Sequence, residues 1–178
     1  EHVAAIAEIV NALKSKNPDV IYCCDPICGD NEHLYLPDTV AQGIATTLLP
    51  LADIATPNLF ELQYLAGGSP LTSTEEVVHA ARSLNVPQVA VTSAPAPEGR
   101  IATLLINKET ARCETAKAPR APHGMGDLFS ALYLALRLSG EAKALGIATG
   151  TLSAIANANM ETQTLPHGPL ALAAPTLQ

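Results

Sequence analysis

The strongest constraint on the fold is an alternation between helical patterns and short apolar runs that end in polar residues. Apolar residues recur at helical spacing up to Asn17-Pro18, and a continuous apolar run follows at residues 20–24. Two further strand patterns occupy residues 53–56 and 88–92, each preceded by a helical segment. Such runs are typical of strands buried on both faces, and their alternation with helices is typical of parallel sheets. The sequence therefore predicts an α/β fold with a mainly parallel central sheet.

The remaining segments fit the same architecture. Acidic residues in a first helical turn follow Thr72-Ser73, which predicts a helix start there. Gly124-Met125-Gly126 comes directly before a long apolar helix. The other predicted elements are helices over residues 38–49, 59–67 and 141–160 and a hairpin formed by residues 101–107 and 111–117. No internal repeat divides the chain, so we expect one domain over residues 1–178.

Composition excludes several classes of function. The 178 residues are 48% hydrophobic and 15% charged, which argues against disorder. A net charge of −7 and 3% aromatic residues argue against a nucleic-acid partner. No apolar stretch reaches membrane-spanning length and no signal peptide is visible, so a cytoplasmic location without membrane partners is expected. Cys23 and Cys24 are expected to be buried free thiols.

The glycine motif is the first candidate for chemistry. Gly124, Met125 and Gly126 precede Asp127 at the start of an apolar helix. The first amides of a helix have no internal partners and can hold an anion such as a phosphoryl group. A carboxylate in the same turn can accept a proton from an attacking hydroxyl. Capping of the helix by Asp127 is an ordinary structural alternative.

Polar residues follow each of the three apolar strands. Asp25 and Asp30 come after the first strand, and two carboxylates at this spacing can share a hydrated magnesium ion. Asn58 and Glu61 come after the second, where a capping box explains them equally well. Since ligands gather at the carboxyl ends of parallel strands, these side chains are expected to line one site. The third strand ends in hydroxyls that suit a phosphate or a monovalent cation, Thr92 and Ser93.

The order of these motifs resembles the ribokinase-like superfamily and, within it, the pyridoxal kinases. The closest stretches are Cys24-Asp25-Pro26-Ile27-Cys28-Gly29-Asp30 and Leu51-Ala52-Asp53-Ile54-Ala55-Thr56-Pro57-Asn58, with Val91-Thr92-Ser93 and Gly126-Asp127-Leu128-Phe129. The similarity runs from the first helix to about Asn157. It implies a three-layer ribokinase-like fold, with the central sheet flanked by helices and the N-terminal strands absent.

The resemblance also implies roles for individual residues. It implies that Asp127 is the catalytic base and contacts the substrate, with Gly124, Met125 and Gly126 forming an anion hole. The implied reaction is transfer of the γ-phosphate of ATP to the 5'-hydroxymethyl group of pyridoxal. Tyr35 matches a loop tyrosine that closes over this substrate. The family commonly forms homodimers, so a homodimer is expected.

The implied nucleotide and metal sites use the residues at the strand ends. ATP would be bound by Asp25, Asn58, Glu61, Thr92 and Ser93. Magnesium would be held by Asp30 and Glu61, directly or through water. A monovalent cation, K⁺ or Na⁺, would be bound by Thr56 and Thr92.

The sequence departs from the pyridoxal kinase motifs at several points, so other functions are also considered. Met125 stands where Thr or Val is usual, the loop over residues 30–35 is short, and about the first third of the family's fold is expected to be missing. Hydroxymethylpyrimidine kinase is one alternative, although those enzymes usually carry Cys at the position of Asp127. Sugar kinases match the strand-end motifs less closely. A non-catalytic nucleotide-binding fragment or paralogue is the alternative from a different class.

Overall fold

The computed structural model describes residues 1–30, 33–158, 165 and 172, and helices alternate with strands through this part of the chain. The helices are His2–Lys16 (α1), Asp38–Gly43 (α2), Leu59–Leu65 (α3), Thr74–Ser83 (α4), Met125–Leu138 (α5) and Ala144–Ala158 (α6). The strands are Cys23–Cys24 (β1), Gly29–Asp30 (β2), His33–Leu34 (β3), Ile54–Ala55 (β4), Gln88–Ala94 (β5), Arg100–Ile106 (β6) and Thr110–Ala116 (β7). Within these ranges, no helix has both the length and the apolar character needed to cross a membrane.

Five strands form one sheet in the order β1-β4-β5-β6-β7, and β2 pairs with β3 in a separate antiparallel ribbon. The β1–β4 and β4–β5 pairs are parallel, with Cys23 opposite Ile54 and Ile54 opposite Gln88. β6 and β7 are consecutive in the chain and in the sheet, as the predicted hairpin requires. The sheet is mixed, with mainly parallel strands flanked by helices, which confirms the predicted fold class.

Several predicted boundaries differ from the structure. The strand expected over residues 20–24 is limited to Cys23–Cys24, because its partner β4 has only two residues. The helix expected over residues 38–49 is α-helical to Gly43 and continues as a π turn and a 3₁₀ turn, Leu49–Leu51. Pro50 has no backbone N–H, so α-helical hydrogen bonding cannot continue through it. The last helix begins at Ala144, and its predicted end at residue 160 lies outside the described residues.

The chain divides into two compact units, residues 1–92 with 105–110 and residues 93–104 with 111–178. In the first unit, Lys14 of α1 contacts the residues just before β4. Its Nζ lies 2.7 Å from Asp53 Oδ2 and donates to the Leu51 carbonyl at 2.8 Å. The Tyr22 N–H donates to the same Asp53 oxygen at 2.7 Å. Partial burial acts to raise the pKa of Asp53, but the bonds from Lys14 and Tyr22 outweigh it and lower that pKa. The Asp53 carboxylate thus connects α1 to the residues that come just before β1 and β4.

The second unit has its own apolar core. Phe129 and Tyr133 lie one turn apart on α5, are fully buried, and stack with ring centroids 5.7 Å apart. α6 packs against α5, and many of its buried residues are small, such as Ala148 and Gly150. Small residues at a helix–helix contact allow the helix axes to approach closely.

Gly29 in β2 tests how tightly the first unit is packed. A Cβ atom there would collide with the Phe60 ring and lie 2.5 Å from the His33 carbonyl oxygen. We expect Gly29→Ala to lower the free energy of unfolding by about 1–3 kcal/mol, because a backbone carbonyl cannot move aside as a flexible side chain can. The measurement is a urea unfolding curve.

Gly43→Ala in α2 is the matched control. A Cβ atom there would meet Val3 at 3.4 Å, an ordinary contact, and alanine favours the helix by up to about 1 kcal/mol. Its unfolding free energy should be unchanged or higher. Equal stability of the two variants would contradict the packing described for Gly29.

Candidate functional site

α3 begins with a capping box built by Asn58 and Glu61. Asn58 is the N-cap residue, and its Oδ1 accepts a hydrogen bond from the Glu61 N–H at 2.9 Å. In return, Glu61 Oε2 accepts from the Asn58 N–H at 2.8 Å. The structural alternative considered for these two residues is therefore present. Unlike an ordinary capping glutamate, however, Glu61 is only 4% exposed.

The same two side chains also hold the segment that follows β1. Glu61 Oε1 accepts from the Cys28 N–H at 3.0 Å, and Asn58 Nδ2 donates to the Gly29 carbonyl at 2.8 Å. Both partners are main-chain groups, so the side chain of Cys28 does not make these contacts. We name the residues gathered here the strand-end cluster: Asp25, Cys28, Gly29, Thr56, Asn58, Glu61 and Thr92.

Hydrogen bonds connect the ends of β1, β4 and β5 in this cluster. Thr56 is buried and its Oγ1 donates to Asp25 Oδ1 at 3.2 Å. The Thr92 N–H donates to the Pro57 carbonyl at 3.0 Å, and Thr92 pairs with Asn58 in an isolated parallel bridge. The structure thus brings together the polar residues that the sequence places after three separate strands.

Burial and charge shift the acidity of Glu61. Desolvation is the largest effect and raises the pKa of this carboxyl group to about 7, against the hydrogen bonds from Asn58 and Cys28 that favour the charged form. The negative charge of Asp25 raises the pKa further. A bound cation would relieve both penalties, so these carboxylates form a site suited to positive charge.

A short hairpin connects the cluster to two more of the predicted site residues. Asp30 is exposed at the end of β2, and Tyr35, just after β3, is 63% exposed. The Tyr35 N–H donates to the Cys28 carbonyl at 2.8 Å. Desolvation raises the pKa of the Tyr35 phenol, and the negative charges of Asp30 and Glu61 raise it further.

The carboxylates suit magnesium only as part of a shared coordination shell. Within the described ranges, no group of three His, Cys, Asp or Glu side chains could hold a metal ion. Each carboxylate oxygen of Glu61 already accepts a backbone N–H, and the Gly29 backbone also hydrogen-bonds to this carboxylate. Magnesium usually keeps several waters and takes one or two carboxylates plus substrate phosphates. One or two of the carboxylates of Asp25, Asp30 and Glu61 would suit such a shell, with waters and phosphates as the other ligands.

The predicted glycine motif lies in the second unit at the start of α5. Gly124 is the N-cap with φ +81°, a left-handed conformation that favours glycine. The helix begins at Met125, two residues earlier than predicted, and its first intrahelical bond runs from the Leu128 N–H to the Gly124 carbonyl at 3.0 Å. The amides of Met125, Gly126 and Asp127 therefore have no partner within the helix. Asp127 is exposed in this turn, and a Cβ atom on Gly126 would have nothing within 4 Å.

The cysteines near the cluster are not reactive groups. Cys23, Cys24 and Cys28 are free thiols, and burial raises their pKa values to about 11, 11 and 12. A thiol protonated at neutral pH is a poor nucleophile and a poor metal ligand. Cys24 is buried as expected, whereas Cys23 is only partly buried; both are free thiols.

Sequence patterns did not reveal every group in the cluster. The Cys28 amide and the Gly29 carbonyl are partners of Glu61 and Asn58, and main-chain groups carry no sequence signal. One indirect sign was available. Gly29 stands in a polar loop between two carboxylates, where close approach of other atoms favours glycine.

The raised pKa of Glu61 predicts an unusual dependence of stability on pH. The unfolded value is 4.5 and the folded value about 7, so the folded state binds the proton more tightly. Stability from this group is complete below pH 4.5 and is lost as the pH rises through 7. As the pH rises from 4.5 to 7, the unfolding free energy of the parent minus that of Glu61→Gln should fall by on the order of 3 kcal/mol.

Glu76 provides a matched control, since it completes the capping box of α4 with Ser73. It is exposed, and hydrogen bonds from Thr72 and Ser73 lower its pKa. Its contribution to stability is present above the usual pKa of 4.5 and is lost as the pH falls. The parent-minus-variant difference for Glu76→Gln should therefore be nearly constant between pH 4.5 and 7 and should decrease only as the pH falls below 4.5. A flat profile for Glu61→Gln between pH 4.5 and 7 would contradict the burial described for this carboxylate.

Comparison with proteins of known sequence gives one family. The profile of the family described as phosphomethylpyrimidine kinase matches residues 2–166. The chain is 34% identical over 137 residues to a pyridoxal kinase of Leifsonia xyli, covering 73% of this chain and 48% of that relative. It is 32% identical over 158 residues to the pyridoxal kinase of Bos taurus, covering 75% and 49%. The chain therefore spans about half the length of these curated relatives.

Comparison with solved structures also finds pyridoxal kinases. Pyridoxal kinase from Entamoeba histolytica superposes with a TM-score of 0.79 at 26% identity, covering 92% of this chain and 62% of that one. Pyridoxal kinase from Leishmania donovani, in complex with ADP and pyridoxine, gives a TM-score of 0.80 at 27% identity, covering 89% and 58%. These matches confirm the expected resemblance to the pyridoxal kinases. The chain belongs to the phosphomethylpyrimidine kinase family and has the ribokinase-like fold of the pyridoxal kinases that it matches.

Proposed function

We propose that the protein transfers the γ-phosphate of ATP to the 5'-hydroxymethyl group of pyridoxal, forming pyridoxal 5'-phosphate. One observation carries the proposal. Asp127 lies in the first turn of α5, beside amides that have no partner within the helix and after a left-handed Gly124. A carboxylate and an anion-binding turn are the two groups that such a transfer needs. The pyridoxal kinase relatives support this substrate.

Asp127 acts as the base in this proposal. It accepts the proton of the pyridoxal hydroxymethyl group as that oxygen forms a bond to the γ-phosphorus and the bond to the ADP oxygen breaks. The amides of Met125 and Gly126 and the turn at Gly124 hold the phosphoryl oxygens. Met125 takes part through its backbone, so its departure from the usual Thr or Val is compatible with activity.

The strand-end cluster has the complementary task of binding the charged nucleotide. Asp25 acts near the ATP phosphates, and Asp30 and Glu61 bind magnesium directly or through water. Magnesium, when bound, neutralises charge on the phosphates. Asn58 and Glu61 bind nucleotide and also keep residues 25–30 in place through their bonds to Cys28 and Gly29.

The remaining roles are proposed from the resemblance to the pyridoxal kinases. Thr56 and Thr92 bind a monovalent cation, K⁺ or Na⁺, and Thr92 and Ser93 contact the nucleotide. Tyr35, exposed beside the charges of Asp30 and Glu61, covers pyridoxal. The single domain is proposed to act in a cytoplasmic homodimer.

Hydroxymethylpyrimidine kinase is the second candidate, and the description of the matching family favours it. Those enzymes usually carry Cys where this chain has Asp127, which favours pyridoxal. A third possibility, nucleotide binding without catalysis, is suggested by Met125. Turnover assays with pyridoxal and with hydroxymethylpyrimidine distinguish the three.

Asp127→Asn tests the proposed base directly. Amide replacement removes the proton acceptor and keeps the shape of the side chain, so kcat for pyridoxal should fall by roughly 10²–10⁴-fold. ATP binding should change little. The measurement is ATP-dependent formation of pyridoxal 5'-phosphate by this chain and by a version extended upstream in its reading frame.

Asp19→Asn is the control, because Asp19 is an exposed acid in the turn after α1. It should match the parent protein in turnover. If the extended protein forms no pyridoxal 5'-phosphate, or if Asp127→Asn retains full activity, the proposal fails. Preferred turnover of hydroxymethylpyrimidine would support the second candidate instead.

A further inference from the structure

The last residues of β5 include an unfavourable backbone conformation. Ser93 has φ +58°, in the left-handed region that residues with a Cβ atom rarely adopt. Such a residue persists only when its surroundings hold it, and it is often found at a functional site. The next residue, Ala94, is buried, and Pro95 follows it. The conformation of Ser93 therefore depends on how residues 94 and 95 are anchored.

Arg112 on β7 provides an anchor for this segment within the second unit. Its Nη2 donates to the Pro95 carbonyl at 2.8 Å, and its Nε donates to Glu114 Oε1 at 2.7 Å. Glu114 is in turn fixed by Arg100 on β6, whose Nε donates to Glu114 Oε2 at 2.9 Å. Hydrogen bonds from Arg112 and then from Arg100 lower the pKa of Glu114, so it is charged at neutral pH.

The geometry suits arginine in particular. A guanidinium group is planar and donates along several fixed directions, so one side chain can bind a carboxylate and a carbonyl at once. Arg112 is half-buried, which reduces screening of these bonds by water. A lysine could reach one of the two acceptors but could not fix their relative direction.

We infer that Arg112 is a positioning residue for nucleotide binding: through Pro95 it holds Ser93 in the conformation in which Ser93 meets the nucleotide. This inference rests on the proposed function, which places Ser93 at the ATP site. Arg112 itself needs no contact with the nucleotide. Its loss should weaken nucleotide affinity and leave the transfer of the phosphoryl group intact.

Calorimetric titration of the full gene product with ADP and magnesium provides the first test. Arg112→Gln should raise the dissociation constant of ADP roughly three- to tenfold, which corresponds to the net contribution of about one ordinary hydrogen bond. Arg112→Lys should lie between this variant and the parent. Arg137→Gln, which alters an exposed arginine in the last turn of α5, should leave the constant unchanged. In turnover assays, KM for ATP should rise in Arg112→Gln while kcat and KM for pyridoxal stay within about twofold.

A double-mutant cycle separates positioning of Ser93 from a general loss of stability. Glycine adopts φ +58° without strain, so Ser93→Gly removes the need for an anchor. In that background, Arg112→Gln should change the ADP dissociation constant by less than about twofold. An equal effect in both backgrounds would overturn the inference, because it would show that Arg112 does not act through Ser93.

Two further outcomes are distinguishable. If the parent binds ADP and Arg112→Gln binds it equally well, the inference fails and the proposed function stands. If the parent binds no ADP and phosphorylates no substrate, the proposed function fails and this inference with it.

Discussion

The Glu61 carboxylate is the interaction on which the candidate nucleotide site depends. Its two oxygens accept backbone N–H groups from two separate segments, Asn58 at the start of α3 and Cys28 after β1. Removing a buried acceptor leaves such donors unpaired at a cost of about 1–3 kcal/mol each. Together with the Asn58 bond to Gly29, this carboxylate fixes the loop that carries Asp25 and Asp30.

Burial of a carboxylate normally costs stability, and here the cost is coupled to the proposed function. Desolvation and the charge of Asp25 both oppose ionisation of Glu61. A magnesium ion that arrives with a nucleotide would reverse that balance, since it favours the charged form. In a chain of net charge −7, binding of phosphates requires such local devices. The amides at the start of α5 that have no partner within the helix are a second such group, and they bind anions without a charged side chain.

The sequence predicted the α/β alternation, the helix start near Ser73 and the meeting of polar residues at three strand ends, because hydrophobic period and turn chemistry are local properties. It offered the capping box of Asn58 and Glu61 as an alternative to a functional role. Backbone partners were beyond its reach: nothing in the side chain of Cys28 indicates that its amide meets Glu61. The left-handed conformation of Ser93 was also not predictable, since residues with a Cβ atom rarely adopt it and keep it only where their surroundings hold them. The network of Arg100, Glu114 and Arg112 was missed because alternating charges on a hairpin are usually solvent-exposed. The resemblance to pyridoxal kinases was recognisable because the order of several weak motifs is more specific than any one of them.

The central claim is that Glu61 links the fold of the strand-end cluster to cation and nucleotide binding. An NMR titration of protein labelled with ¹³C at glutamate carboxyl groups, assigned through Glu61→Gln, tests it most directly. The account predicts a midpoint for Glu61 near pH 7 in the free protein and a lower midpoint once magnesium and ADP are bound. A midpoint near the ordinary value of 4.5, unchanged by magnesium and ADP, would contradict it.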